Sequence, residues 1–350
     1  GAEANFAIPR FIIPFFDVRT KGGFMPRTNI RLGYDILNRR EYYSLNQFRG
    51  GLGYIWKESI RKQHEFYPIN INYVQPLKIT DKFLDSVGRY TYLRRVIDSQ
   101  FIIGSTYQFN YNQVLSGLLK TNNFFFNGLA DFSGNIAGLL TGASKENPGT
   151  ILGRKFNQYI KFETDGRYYR KIGLKSSWAN RLIIGYGIPY GNSEQLPYVK
   201  QFFAGGTNSI RAFRSRTVGP GTFPLLALDK TVFPDQTGDI RLEANTEFRP
   251  HISGPIYGAA FIDAGNIWLA KGDSTRPGSQ FSKNFLNELA IGAGVGIRVD
   301  ITMFVIRLDV AFPIKKPWEE NPWYWRQLQF NKKEWRRENV VYNLAIGYPF

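Results

Sequence analysis

The chain has 350 residues, 45 Lys and Arg against 28 Asp and Glu for a net charge of +17, 16% aromatic residues and no cysteine. A disulfide framework and a thiolate metal site are excluded, and so is a transmembrane helix, because no run of about 18 apolar residues occurs. A nucleic-acid footprint is not expected either, since the basic residues are spread along the whole chain and alternate with apolar ones.

In chain order, period-two alternation predicts strands over 2–14, 28–40, 43–57, 63–77, 92–112, 122–141, 152–170, 175–190, 238–250, 256–268, 288–300, 302–312 and 340–350. Segment 239–249 carries the strongest signal. Asp239, Arg241, Glu243, Asn245, Glu247 and Arg249 form an unbroken polar face opposite Ile240, Leu242, Ala244, Thr246 and Phe248. In 288–300, Ile291, Val295 and Ile297 oppose Gly292, Gly294, Arg298 and Asp300. In 302–312, Phe304, Ile306, Leu308, Val310 and Phe312 oppose Arg307 and Asp309. The closing strand sets Tyr342, Leu344, Ile346, Tyr348 and Phe350 against Asn343, Ala345, Gly347 and Pro349.

A soluble sandwich buries its apolar face and wets its polar one. A membrane barrel turns the apolar face to lipid and the charged face to a wet lumen. Many long strands with aromatic ends and a terminal Phe predict the second arrangement: an all-β, antiparallel transmembrane β-barrel of the Gram-negative outer membrane. The long connections 78–91, 191–237, 269–287 and 313–339 then fall outside the cell, and the short turns 251–255 and 300–302 fall in the periplasm. Thirteen strands is an odd count, so further strands are expected ahead of Gly1, and the chain reads as a C-terminal portion of a longer barrel. Gly1 opens no signal-peptide pattern, so a leader is expected to be absent or already removed.

Segment 201–221, QFFAGGTNSIRAFRSRTVGPG, resembles the sixth extracellular loop of the BamA/TamA superfamily, the bacterial surface antigen family. The matching residues are Phe203, Gly205, Gly206, Ile210, Arg211, Phe213, Gly219, Pro220 and Gly221, with Ala212 where the family usually has glycine. If that position needs positive φ, Ala212 is strained. EANTEFRP at 243–250 and AFIDAGNIW at 260–268 resemble the next two strands, and AIGYPF resembles the closing strand. The Trp-rich segment 313–339 and the Pro-Arg-Phe near the start resemble the TamL branch.

The resemblance implies a barrel of roughly sixteen strands, periplasmic POTRA domains upstream, and a loop 191–237 folded into the lumen. There Arg211 is expected to pair with Glu247 and Asp263. Simple hairpin register about 251–255 adds Glu243 as a third candidate, opposite Asp263. A buried guanidinium needs such partners, because desolvating it alone costs several kcal/mol. Taken singly, Gly205–Gly206 would be an ordinary turn, Arg211 a solvated surface residue and Asp263 a turn starter; the ordered set raises them above this. Trp318, Trp323, Trp325 and Trp335 suit either an interfacial belt or a lid over the barrel mouth, and the interspersed charges favour the lid.

An enzyme is not expected. The two histidines, His64 and His251, form no nucleophile–base set and no metal spacing, and no cofactor is implied. The implied function is insertion of outer-membrane proteins through a lateral seam between first and last strands, with Tyr342, Leu344, Ile346, Gly347, Tyr348, Pro349 and Phe350 on the closing side. Gly347 and Pro349 weaken that ladder. The implied partners are outer-membrane lipids and lipopolysaccharide, unfolded β-barrel clients, and periplasmic or outer-membrane accessory proteins. A two-partner-secretion export pore shares the fold and a similar loop. A passive porin needs no inward Arg-containing motif.

Overall fold

The computed structural model describes residues 1–13, 23–39, 41–114, 120–144, 146–151, 153–223, 235–301 and 303–350. Residues 14, 40, 152, 224–234 and 302, which the sequence places in strands or in the long loop, lie outside the described residues.

The strands are β1 (Ala2–Ile8), β2 (Arg27–Arg39), β3 (Tyr43–Ser59), β4 (Lys62–Ile79), β5 (Gln100–Asn112), β6 (Asn122–Ser133), β7 (Thr150–Ile151), β8 (Arg154–Lys155), β9 (Tyr159–Ile172), β10 (Ser176–Pro189), β11 (Ile240–Arg249), β12 (His251–Ser253), β13 (Ile256–Trp268), β14 (Ala290–Asp300), β15 (Val305–Lys315) and β16 (Val341–Ile346). Among the described residues, short helices punctuate them: α1 (Asp81–Arg89), α2 (Asn135–Thr141) and α3 (Lys333–Asn339). Fourteen strands are hydrogen-bonded in antiparallel sheet, with β7 and β8 as a separate hairpin. Among the described residues no helix is long and apolar enough to cross a membrane.

The chain divides into two compact units. The first comprises Gly1–Ser116, Phe126–Glu163 and Gly187–Gln201, and its strands run in the order β1-β2-β3-β4-β5-β6. After β4 the chain forms α1, which Thr80 caps by accepting from the Phe83 N–H, with Asp81 and Arg89 complementing the helix dipole. Phe83 of α1 packs edge-on to Tyr43, whose hydroxyl lies 2.9 Å from that of Tyr198.

The second unit comprises Gly117–Phe125, Thr164–Tyr186 and Phe202–Phe350, with consecutive order β10-β11-β13-β14-β15-β16. Its burial is the reverse of a soluble sheet. On β15, Ile306 and Leu308 are exposed while Arg307 and Asp309, which alternate with them, are fully buried. On β11, Glu243 and Glu247 are fully buried and Phe248 is exposed; on β16, Tyr342, Leu344 and Ile346 are at least 70% exposed and Asn343 is buried. Exposed apolar residues alternating with buried charges match a sheet whose outer face meets lipid.

Several predicted boundaries are corrected. Residues 92–96 belong to a 3-10 helix, Thr91–Val96, not to a strand; Leu93 and Val96 are buried three residues apart, the period of that helix. Residues 135–141 form α2, because Gly134 adopts φ +69° and ends β6. The chain reaches β9 only at Tyr159, after the β7–β8 hairpin. The last strand stops at Ile346, where Gly347 turns the chain with φ +91°; Pro349 and Phe350 therefore lie beyond the ladder, and Phe350 is buried instead of sharing the exposed face of Tyr342.

Register supplies a further correction. Glu243 lies opposite Gly265, and Asp263 is opposite Asn245. The turn tip falls at Gly254–Pro255, with Ser253 paired to Ile256 and an irregularity between His251 and Ser253. Moving the tip by one residue shifts every cross-strand partner by two.

Candidate functional site

The loop beginning at Phe202 is seated on the buried polar face of the second unit. Two isolated backbone contacts start it, Phe202 N–H to Gly238 O at 2.8 Å and the return at 2.9 Å. Gly205 and Gly206 turn it with φ +94° and +102°; a Cβ on Gly205 would lie 2.3 Å from the Arg214 carbonyl oxygen. The Gly206 N–H then donates to Phe213 O (2.8 Å), closing a compact lobe. Ile210, Ala212, Phe213 and Val218 of the loop bury themselves against Phe261, Ile267, Ala290 and Ala311 of the wall. Phe203 remains partly exposed beneath the Arg216 guanidinium, 4.2 Å from its ring centroid.

At the centre of the lobe Arg211 is fully buried. Its Nε and Nη2 donate to the two carboxylate oxygens of Asp263 at 2.8 and 2.9 Å, the bidentate geometry that fixes orientation as well as charge. Its Nη1 donates to Glu247, and its backbone N–H also reaches Asp263 (3.1 Å). The guanidinium lies 3.4 Å over the centroid of Phe261, two residues before Asp263 and on the same face of β13. Burial alone lowers the pKa of Arg211, but Asp263 and then Glu247 more than reverse this, leaving it above the ordinary arginine value.

The structure thus brings Arg211, Glu247 and Asp263 together. Glu243 sits one step away: it accepts from Ser209 Oγ at 2.7 Å and from Arg241 Nη2 at 2.7 Å. Ala212 is not at positive φ, so no backbone strain arises there; the positive-φ non-glycine residues described are Glu41 and Arg216. Its methyl group instead occupies space left by Gly292 of β14, where a Cβ would come within 2.3 Å of it. At the far end of the motif, Pro220 follows a cis peptide bond. The N–H of Gly221 donates to Ile267 O (2.7 Å), and Gly219 abuts Asn266 and Ile267 so closely that a Cβ would lie 2.4 Å from Asn266 Oδ1.

Residues without a role in the sequence reading complete the seat. Arg298 on β14 bonds Asp309 at 2.5 Å and Glu247 at 3.1 Å, and Arg249 bonds Glu247 at 2.7 Å. Glu247 therefore serves three guanidinium groups. Arg307 on β15 donates through Nη2 to Thr207 O (3.0 Å) and Asn208 Oδ1 (2.8 Å) of the loop. Arg181 on β10 donates to Asn208 O at 2.9 Å, and Asn245 on β11 to Ser209 O at 3.0 Å. From the closing strand β16, Asn343 Nδ2 donates to the Arg211 carbonyl at 3.0 Å. Period two places these side chains on the polar face; which of them meet depends on register and loop path.

The chain end is tied to the same network. Tyr348 and Phe350 lie 4.3 and 5.5 Å from the Arg249 guanidinium, which also donates to Phe350 O at 3.3 Å. Of the Trp-rich segment, Trp318 packs edge-on to Phe213, and Trp335 to Phe330, while Trp323 and Trp325 are exposed.

Buried charge behind an exposed apolar face, in an antiparallel sheet, defines the class: an integral outer-membrane β-barrel. The chain belongs to the Omp85 superfamily, whose domain matches residues 26–332. It is 23% identical to the outer membrane protein assembly factor BamA of Neisseria meningitidis serogroup B, over 39% of this chain and 19% of that protein. It is 30% identical to outer envelope protein 80, chloroplastic, of Arabidopsis thaliana, over 32% of this chain and 13% of that protein. The chain thus spans a fifth or less of the length of these relatives. Among solved structures, BamA from Haemophilus ducreyi lacking POTRA domains 1–3 shares the fold with a TM-score of 0.62 at 16% identity, covering 90% of this chain and 58% of that one.

Proposed function

We propose that the chain is the membrane domain of an assembly factor that folds client β-barrels into the outer membrane at the edge of β16. The observation that carries this role is that one loop is bonded at once to β10, β11, β13, β15 and the closing strand β16. A loop so placed braces the wall beside the strand where clients would pair. It performs no bond chemistry. β16 itself is short, six residues, and is cut off by Gly347. Among the described residues it pairs with β15 alone, and an unpaired outer edge is a template for strand addition from a client. The proposed partners are unfolded β-barrel clients, lipopolysaccharide and accessory proteins. Upstream strands and POTRA domains, with loop 191–237 lodged in the lumen and 313–339 lying over it, belong to the same proposal.

The competing role is a polypeptide export pore, for which the seated loop would have to leave the lumen. Full-length protein reconstituted in liposomes separates the two. Wild type should accelerate folding of an unrelated barrel client, and Arg211→Ala and Asp263→Ala should lose that acceleration while remaining inserted and folded. No acceleration by wild type, together with free ion conduction, would overturn the assembly role in favour of a pore.

A further inference from the structure

α2 is a seven-residue helix, NIAGLLT, with an apolar side that no described residue of its own unit covers. Ile136, Leu139 and Leu140 are 74%, 85% and 82% exposed. At about 100° per residue these three span one arc of roughly 100°, with Gly138 on the opposite side. Gly138 is pressed against the unit: a Cβ there would lie 2.0 Å from Gln158 Nε2. Gln158 is itself buried and fixed, donating to Gly134 O (3.2 Å) and accepting from the Asn192 N–H (2.7 Å). Asn135 is held by the Tyr190 hydroxyl, and Gly134 and Gly142 in left-handed conformation bound the helix. The orientation is therefore built in: one side is clamped, and three large apolar side chains are held outward.

The occupant of that side follows from its continuity with the lipid-facing surface. On β6, Phe126 is exposed, and Phe132 stacks edge-on (5.9 Å) with exposed Phe162 of β9. Ile136 follows Phe132 by four residues, at most roughly 14 Å of chain, so α2 begins where the outward apolar stripe ends. The adjoining β7–β8 hairpin presents exposed Arg154 and Lys155, the charge that suits anionic headgroups beside an interfacial apolar face. We propose that α2 is a membrane foot: Ile136, Leu139 and Leu140 insert into the bilayer interface at the rim of the barrel and anchor the loop 134–158 to the lipid surface.

None of the 350 residues is a cysteine, so a thiol placed in this stretch is unique within it, and any cysteine elsewhere in the full-length protein is first replaced by serine. Leu139→Cys, Leu140→Cys and, exposed but turned away from the apolar arc, Thr141→Cys are each labelled with an environment-sensitive fluorophore in the full-length protein, in liposomes with and without lipopolysaccharide. Folding is verified by the heat-dependent gel shift. Labels at 139 and 140 should be quenched by lipids carrying a nitroxide near the headgroup and be shielded roughly threefold or more from aqueous iodide relative to 141. Iodide reaching 139 and 140 as freely as 141 would overturn the proposal. Quenching by neither agent would also overturn it, since a protein surface would then cover the helix.

Discussion

Replacing Arg211 by methionine keeps the bulk of the side chain and removes its charge, and the network indicates which partner suffers. Glu247 retains Arg249 at 2.7 Å and Arg298 at 3.1 Å. Among the described residues, Asp263 retains the Asn245 amide at 2.9 Å and the Arg211 backbone N–H at 3.1 Å, and no cation. The orphaned charge is therefore Asp263, fully buried. Removing one member of a buried pair costs about 3–5 kcal/mol. At about 1.4 kcal/mol per decade, that raises the released population of the loop roughly a hundred- to a few-thousand-fold. Hydrogen exchange of the Gly205 and Gly206 amides, bonded to Ser209 Oγ at 3.0 Å and Phe213 O at 2.8 Å, reports this release. Adding Asp263→Asn to Arg211→Met removes the orphaned charge and should recover about 1–3 kcal/mol as a coupling energy. Unchanged exchange in the single variant, or deeper loss in the double variant, would refute the assignment of Asp263 as the principal partner.

Burial alone does not set such costs, and Arg307 provides the contrast. It is as buried as Arg211, but its Nε and Nη1 make no hydrogen bond and its nearest carboxylate, Asp309, is 3.6 Å away. Arg307→Met should change loop exchange by no more than about 1 kcal/mol, since it trades two loop bonds for relief of a poorly paired cation. A loss equal to that of Arg211→Met would contradict this. Gly292→Ala drives a methyl group to 2.3 Å from the Ala212 Cβ and should cost about 1–3 kcal/mol in thermal unfolding in micelles. Ala212→Gly should restore most of that loss, and failure to rescue would place the clash elsewhere.

The strands were legible because lipid on one side and charge on the other enforce an unbroken period of two. The alternation in 239–249 thus gives both the strand and the burial of Glu243 and Glu247. What breaks that period was harder to see. In 134–141, Ile136, Gly138 and Leu140 keep the strand pattern, and only the left-handed Gly134 converts the segment to helix. For α1 the signals were present, a Thr cap followed by an acidic first turn and a basic last turn, but they were lost within a connection between two strong strands.

The centre of the site was legible only through its resemblance to a known loop, and the physical reason lies in register. Parity assigns Arg298, Arg307, Asp309 and Asn343 to the inner face, yet it cannot say which of them meet. That depends on a turn tip at Gly254–Pro255 and on a loop crossing five strands. A one-residue error in the tip moved Glu243 away from Asp263 and put Asn245 there instead, changing a carboxylate pair into an amide–carboxylate hydrogen bond. The same dependence gives the cluster its use. An apolar plug could hold a loop as firmly as buried ions do, but it tolerates sliding, whereas Arg211 satisfies both Asp263 oxygens and Glu247 in one position only. With Asn343 of β16 bonded to the Arg211 carbonyl, displacement of the closing strand by one residue would turn Asn343 to the other face and break that bond. The seat of the loop is in this way tied to the register of the strand at which clients are proposed to pair.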